Sequence, residues 1–523
     1  MKGEKILEKN EKSIIIIGAG ISGMSAGCYG QMNGYKTKIF ESHFIPGGCC
    51  TAWERKGYVF DQCIDWLLGT KLGTDMNQVW RELGALKNKK LRFFNMFNRV
   101  VGQDGQSVTF YVDPNRLEAH LKEISPEDGE LIEEFCNGIR AFSGDMNFPL
   151  LKPEPLYNEN ENKEIEEKFI KKYGKALRDS TGIEIVDFAK RFKNPFLQEA
   201  FPYILQQKMC DFPLMPYCYN LAAMSEKNAG YPEGGSLELA KSIERRYTEL
   251  GGEIVYEAPV KKILVENDKA IGVMLEDGTK HYADIVLSAA DGRTTIFDML
   301  DGKYVDNTIK KLYEGLHSRE NKIYEGFVLV FLGINRDLTN EPDSTTYFLE
   351  HPSKLLGCNQ KGIVARHYCH HAPEFAPPGK SVMQFFYYSE YDCWKKLYDN
   401  DRAAYKEEKG KVADFIINYM EQHYPGLKDQ IEAIDVSTPV TAVRYTGNHE
   451  GSVMAWIPFA DTEEHVKPLV EKYHMKLPGL SNFYMAGHWV SLGGLVRSSS
   501  SGRHVIQFIC KDDKKSFVAQ LAD

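Results

Sequence analysis

The chain opens its ordered pattern with an unbroken aliphatic run, Ser13-Ile14-Ile15-Ile16-Ile17, which predicts a strand buried on both faces. A glycine-rich turn, Gly18-Ala19-Gly20-Ile21-Ser22-Gly23, follows, then small residues that predict a helix, then a second strand, Thr37 to Phe40, ending at Glu41. Gly57-Tyr58-Val59-Phe60-Asp61 reads as another short strand. From about residue 114 the period becomes helical. Ser125-Pro126-Glu127-Asp128 predicts a cap, and Leu131, Ile132, Phe135, Ile139 and Phe142 follow at helical spacing. Residues 158–172 are densely charged around a thin apolar stripe, Ile165 and Phe169, which predicts an exposed helix.

The sheet pattern returns at Gly230 to Ser236, with a helix through Leu237, Leu239, Ala240 and Ile243. Strands at Glu253 to Tyr256 and Val260 to Val265, then Ile271 to Leu275, a Glu276-Asp277-Gly278 turn and Tyr282 to Leu287, predict a β-meander. Further strands are expected at Gly326 to Leu332 and Ser381 to Tyr387, and a helix near Ala413 to His423. Asn482 to His488 reads as a buried strand ending at Gly487, followed by Gly493-Gly494 and a terminal helix from about Ser501.

The first 41 residues thus contain strand, turn, helix, strand and acid in the order of a dinucleotide-binding βαβ unit. Gly18 permits the tight turn, Gly20 lets backbone approach a pyrophosphate, and Gly23 lets helix and sheet pack closely. Ile21, Ser22 and Gly23 open the helix, whose free N–H groups and dipole suit phosphate, while Glu41 is placed to accept from a ribose diol. Gly47-Gly48 offers a second close backbone approach.

Composition adds exclusions. The 523 residues, 43% hydrophobic, suffice for two or three domains, and the net charge of −9 is spread along the chain. No basic stripe interleaved with aromatics occurs, so nucleic acid is not an expected partner. The eleven cysteines are scattered without a CxxC pair; with no signal peptide or spanning segment, free thiols and a cytoplasmic setting are expected. Vicinal Cys49-Cys50 is poorly placed for a disulfide, and packed free thiols are expected there. Phe212 to Tyr217 is apolar and proline-broken, suited either to a lipid tunnel or membrane surface or to ordinary core. His367 to His371 invites a metal reading but lacks a further ligand at suitable spacing, so a surface loop and no metal are expected.

Taken together, Gly18 to Gly23, Glu41, Gly47-Gly48, Gly57 to Asp61, Tyr231 to Gly235, Thr438-Pro439 with Arg444 to Asn448, Ala486-Gly487 and Ser501-Gly502-Arg503 resemble the phytoene desaturase family of flavoproteins. The branch that includes retinol saturase looks most similar, and the likeness spans nearly the whole chain. The resemblance implies an α/β fold with a discontinuous Rossmann-type FAD-binding domain (1–113, 229–300 and 475–523) and a second mixed α+β substrate domain (114–228, its helical part, and 301–474). It implies FAD lying on Gly18, Gly20, Ile21, Ser22, Gly23, Glu41, Gly47 and Gly48, with Val260 meeting the adenine, and Gly487, Gly494 and the following helix closing over the flavin. This chain carries Cys49 where the family shows arginine, which removes a cationic contact near the pyrophosphate.

The implied activity is oxidoreduction of C–C bonds, desaturation or double-bond saturation, in a hydrophobic isoprenoid, retinoid, carotenoid or related lipid. A flavin-dependent isomerase and an amine oxidase are the alternatives, and a non-enzymatic prenyl-lipid escort is disfavoured by the intact glycine fingerprint. No second fingerprint for a nicotinamide dinucleotide is present, so the electron partner is a quinone, dioxygen or a reduced carrier. Such chemistry needs an acid or base opposite the flavin. Asp65, Tyr231, Arg444, Tyr445 and His488 adjoin the flavin motifs and are the candidates, each with a packing or orienting role as its alternative. Peripheral contact with a membrane and the oligomeric state stay open.

Overall fold

The computed structural model describes residues 11–522 apart from 145–148, 181, 207–211, 317, 319–321, 356–357 and 458–466. Its first layer is a five-stranded sheet of order Glu253–Val255, Lys36–Phe40, Ser13–Ile17, Ile285–Ser288 and Phe483–Met485, all parallel. Strands from the start, middle and end of the chain therefore share one sheet. Ile14 to Ile17 lie at its centre, buried on both faces, which is what an unbroken aliphatic run requires. The helix Ile21–Met32 packs on this sheet and against two others, Gly235–Glu249 and Leu495–Asp512. The last of these crosses it at Gly502, where a Cβ would lie 2.5 Å from the Ser22 carbonyl oxygen. Only glycine allows that approach. The meander is shorter than the pattern predicts: Val260–Glu266, Lys269–Leu275 and Lys280–Tyr282 pair antiparallel, while Glu253–Val255 and Ile285–Ser288 join the parallel sheet instead.

The second layer is a seven-stranded sheet of order Ile431–Ser437, Phe327–Ile334, Ser381–Tyr388, Cys358–His367, Ser344–Leu355, Met96–Val101 and Ser107–Tyr111. Its pairs are antiparallel except for Ser344–Leu355 with Met96–Val101. Period-two alternation divides Phe327–Ile334 between two cores. Val328, Val330 and Leu332 pack with Val412, Ile416 and Met420 of the helix Arg402–His423. Leu329 and Phe331 face the first layer, where Phe331 stacks on Phe60 at 5.1 Å. The architecture is thus α/β, with a parallel nucleotide-type sheet beside a mixed sheet and its helices.

Two local expectations were realised differently. Asp128 does not cap the helix Gly129–Phe142; its buried carboxylate accepts from Ser125 Oγ and from the backbone N–H groups of Lys193 and Asn194, tying a distant loop to the helix start. The terminal helix begins at Leu495, directly after Gly494 at φ +109°, rather than near Ser501. Its serine run is helical because the Ser499 and Ser500 hydroxyls donate back to the Val496 carbonyl, both at 2.8 Å.

The apolar segment Phe212 to Tyr217 is interior: Phe212, Leu214 and Tyr217 are buried, and Tyr217 opens no outer face. Among the described residues no helix is long and apolar enough to cross a membrane. The nine cysteines with described side chains are free thiols, while Cys210 lies outside the described residues.

Candidate functional site

The turn after Ser13–Ile17 is pinned by the Gly18 N–H donating to the Phe40 carbonyl at 2.8 Å, and Gly18 takes φ +95°. Gly20 precedes the helix in extended backbone, with no side chain capping the first turn. Those N–H groups are left for an anion. A Cβ at Gly23 would stand 2.0 Å from the Gly18 carbonyl oxygen, so that glycine serves packing, whereas a Cβ at Gly20 would meet nothing within 4 Å, which leaves open space beside the turn. Gly47 bridges to Gly20 and donates to the Ala19 carbonyl at 2.9 Å, bringing Gly48 alongside. Gly487 closes the same region beside Ser22, its N–H held by Ser501 Oγ at 2.8 Å.

Glu41 is buried, with Oε2 accepting from the Ala19 N–H at 2.6 Å and Oε1 from the His43 N–H at 2.8 Å. Oε1 also accepts from Ser42 Oγ at 3.2 Å, so Oε2 is the oxygen that keeps a lone pair to offer. The Glu41 carbonyl accepts from Ala258 N–H at 2.8 Å, which ties the start of the strand Val260–Glu266 to the Glu41 end of the sheet. Gly494 begins the uncapped terminal helix. The open space over Gly20, the unused helix N–H groups and the fixed Glu41 carboxylate fit a dinucleotide. Cys49 accepts from Asn448 Nδ2 at 2.8 Å, and burial pushes its thiol up to about 12, so a neutral group stands where a cation was expected from the resemblance.

A second centre is built from the turn after Tyr58–Asp61. Buried Asp61 receives the Ser236 N–H at 2.7 Å, Ser236 Oγ at 2.5 Å and the Cys63 N–H at 3.1 Å. Its own carbonyl accepts from Tyr368 and from Gln384 Nε2, so the turn leading to Asp65 is held from three elements. Burial raises the Asp61 carboxyl above its usual value. Asp65 pairs with Arg366, whose guanidinium also donates to Tyr368 Oη at 2.8 Å and Gln384 Oε1 at 2.5 Å. Asp65, Arg366, Tyr368 and Tyr231 line one small cavity with Phe94 and Phe97. Burial, then the nearby Asp61 charge, holds the Tyr231 hydroxyl well above its ordinary value, so it keeps its proton.

Of the candidate acids and bases, Asp65 and Tyr231 meet at this cavity. Arg444 and Tyr445 lie on the exposed side of the helix Pro439–Thr446, with Tyr445 edge-on to His43 at 5.2 Å and so near the Glu41 end of the groove. His488 follows Gly487 beside Trp489, outside the cavity lining. Sequence reasoning missed Arg366, Tyr368 and Gln384. The available signal was an arginine inside the apolar run Ile363-Val364-Ala365, since a charge in a buried strand needs a partner or a ligand.

The histidine run turns inward rather than lying on the surface. His367 and His371 are buried and only His370 is exposed, paired with Asp343. Asp343, His367 and His370 have donor atoms within 4.8 Å of one another. Their ring nitrogens are already engaged: His370 with Asp343 and the Thr339 carbonyl, His367 with the Glu341 carbonyl and the Cys369 N–H.

Burial pushes His371, His488 and His504 each down to about 4, whereas the hydrogen bond to Asp343 lifts His370 to about 9. Unfolding returns all four toward about 6.5. For the three depressed histidines, stability is fully present above that value and is lost as pH falls toward 4. His370 has the opposite sign: its contribution is present below 6.5 and lost as pH rises through 9. The melting temperature is therefore expected to drop by several degrees between pH 7 and pH 5 in calorimetry. A flat profile over that interval would show that these imidazoles are not buried neutral.

Comparison with known proteins follows the same lines. A profile of the family described as flavin containing amine oxidoreductase matches residues 21–505. The prolycopene isomerase of Daucus carota is 27% identical over 463 residues, covering 84% of this chain and 71% of that protein. A lycopene-forming phytoene desaturase of Pseudescherichia vulneris is 22% identical over 506 residues, covering 91% and 94%. Among solved structures, an oxidoreductase from Methanosarcina mazei superposes with a TM-score of 0.58 at 16% identity, covering 95% of this chain and 100% of that one.

Proposed function

The chain belongs to the flavin containing amine oxidoreductase family, its cofactor is FAD, and from that premise we propose that it adds hydrogen across a carbon–carbon double bond of an apolar, isoprenoid-type polyene. The carrying observation is the cavity where Tyr231, held protonated, meets the Asp65–Arg366 pair against Phe94 and Phe97. Bound FAD supplies hydride chemistry. Tyr231 supplies the proton at its Oη, and Asp65, fixed by Arg366, orients the charge beside it. Phe94 and Phe97 give this otherwise polar cavity its apolar side. Gly18 to Gly23, Glu41, Gly47, Gly48, Gly487 and Gly494 would hold the cofactor.

A double-bond isomerisation without net reduction is the second reading, favoured by the likeness to prolycopene isomerase. Amine oxidation draws no support from Trp489, which is buried against Trp456 at 5.4 Å and Tyr313 at 6.2 Å.

The test is anaerobic. Photoreduced protein is mixed with a cis and an all-trans polyene, the flavin absorption is followed, and products are weighed. Reoxidation with a product two hydrogens heavier is the expected result. A product of unchanged mass and altered geometry would establish the isomerase reading. Unchanged polyene with either flavin redox state would overturn both.

A further inference from the structure

We propose that the cavity between Arg366 and Gln206 receives a hydroxyl group carried by an otherwise apolar ligand. This rests on the apolar-substrate reading above and deepens it. Gln206 and Arg366 both line the cavity and both are buried, at 3% and 6% exposure. Among the described residues, neither the Gln206 Oε1 nor the Arg366 Nε has a hydrogen-bond partner. Leaving buried donors and acceptors unmatched is costly, and with the Tyr231 Oη, which also lacks a partner, three such groups on one small cavity ask for a single occupant that both donates and accepts.

Both terminal nitrogens of the guanidinium are engaged, with Asp65, Tyr368 and Gln384, and the Nε is the one nitrogen with no partner at all. Its charge is already matched by Asp65, with Asp343 also on the cavity wall, and a second full negative charge is not called for. A carboxylate or phosphate is therefore disfavoured. A hydroxyl gives its proton to Gln206 Oε1 and takes one from Arg366 Nε; a carbonyl or ether cannot donate, and a hydrocarbon does neither.

Size agrees. The cavity has room for about one water-sized group, with the rings of Phe94, Phe97 and Tyr231 around it for the apolar part. Gln206 is held at φ +70° by its N–H donating to the Tyr203 carbonyl at 2.9 Å, an uncommon conformation for a residue with a side chain. That backbone fixes where the amide is presented.

The test uses the flavin-loaded full chain and three ligands of equal length: a polyene alcohol, its methyl ether and its hydrocarbon. Binding is read by quenching of tryptophan fluorescence. The alcohol is expected to bind at least about 10-fold more tightly than the ether or the hydrocarbon, since a site built to pair a hydroxyl discriminates against its absence. Gln206→Leu, checked for folding by circular dichroism, should bring the alcohol down to the hydrocarbon's affinity and leave the hydrocarbon unchanged. Equal binding of all three ligands to the unaltered protein would overturn the proposal alone and leave the cavity with a buried water only. Failure of every ligand to bind would overturn the apolar-substrate reading and the proposal with it.

Discussion

Replacing Gly20 with valine is expected to give a folded protein that no longer retains FAD. The backbone there is extended, with φ −67°, so a side chain meets no conformational penalty. A Cβ at this position has nothing within 4 Å, so the protein itself offers no clash. The added branch fills the space through which the first-turn N–H groups of Ile21, Ser22 and Gly23 reach a pyrophosphate. Loss of two charge-assisted hydrogen bonds, each about 1.5 kcal/mol or more, corresponds to affinity weakened by about 100-fold or more. Apoprotein stability should change by less than about 1 kcal/mol, because Gly20 makes no side-chain cap that valine would remove.

Gly23→Ala is the contrasting control: its Cβ would stand 2.0 Å from the Gly18 carbonyl oxygen, so both stability and flavin should be lost. Flavin content after desalting and the melting temperature of stripped protein separate the two effects. Full flavin retention in Gly20→Val would mean that the cofactor does not cross this turn.

These two glycines also show what was legible in the sequence. The βαβ unit is local: strand, turn, helix and acid lie within about thirty residues, and each carries a period or a backbone requirement of its own. Asp65 and Tyr231 were reachable because they adjoin such motifs. Arg366, Gln384 and Gln206 were not. Arg366 acquires meaning only when the register of Cys358–His367 against Ser381–Tyr388 sets it opposite Gln384. The turn after Asp61 then arrives from more than 300 residues away to supply Asp65. Nothing in the spacing of a single strand records that meeting. The histidine run misled for a related reason: three imidazoles in five residues suggest an exposed cluster, but the chain after His367 folds back, burying His371 against Phe94. The serine run at 498–501 misled by propensity, since hydroxyls that favour turns are satisfied here by bonding back along their own helix.

Arg503→Met is expected to destabilise the protein by about 3–5 kcal/mol, the usual result of removing one member of a buried ion pair. Arg503 Nε donates to Glu82 Oε2 at 3.0 Å, and the two side chains are only 7% and 2% exposed. Glu82 also accepts from Tyr29 Oη at 2.6 Å and from Gln78 Nε2 at 2.9 Å. The pair therefore joins three helices, Ile21–Met32, Asp75–Glu82 and Leu495–Asp512, at the face where the terminal helix docks beneath the cofactor groove. The guanidinium further donates to the Leu151 carbonyl, an acceptor it shares with Gln507 Nε2 at 3.0 Å, so methionine removes one of that carbonyl's two partners. Methionine preserves the stem packing between Tyr29 and Phe517, so the loss reports charge and hydrogen bonding rather than a cavity. Adding Glu82→Gln removes the stranded carboxylate while keeping an acceptor for Tyr29, and the double variant should recover a large part of the loss. Chemical denaturation of the four proteins measures the coupling. Additive losses in the double variant would show that Arg503 acts by packing alone. A recovery would identify the Ser501-Gly502-Arg503 stretch as the clasp that sets the terminal helix, and with it Gly487 and Gly494, against the dinucleotide turn.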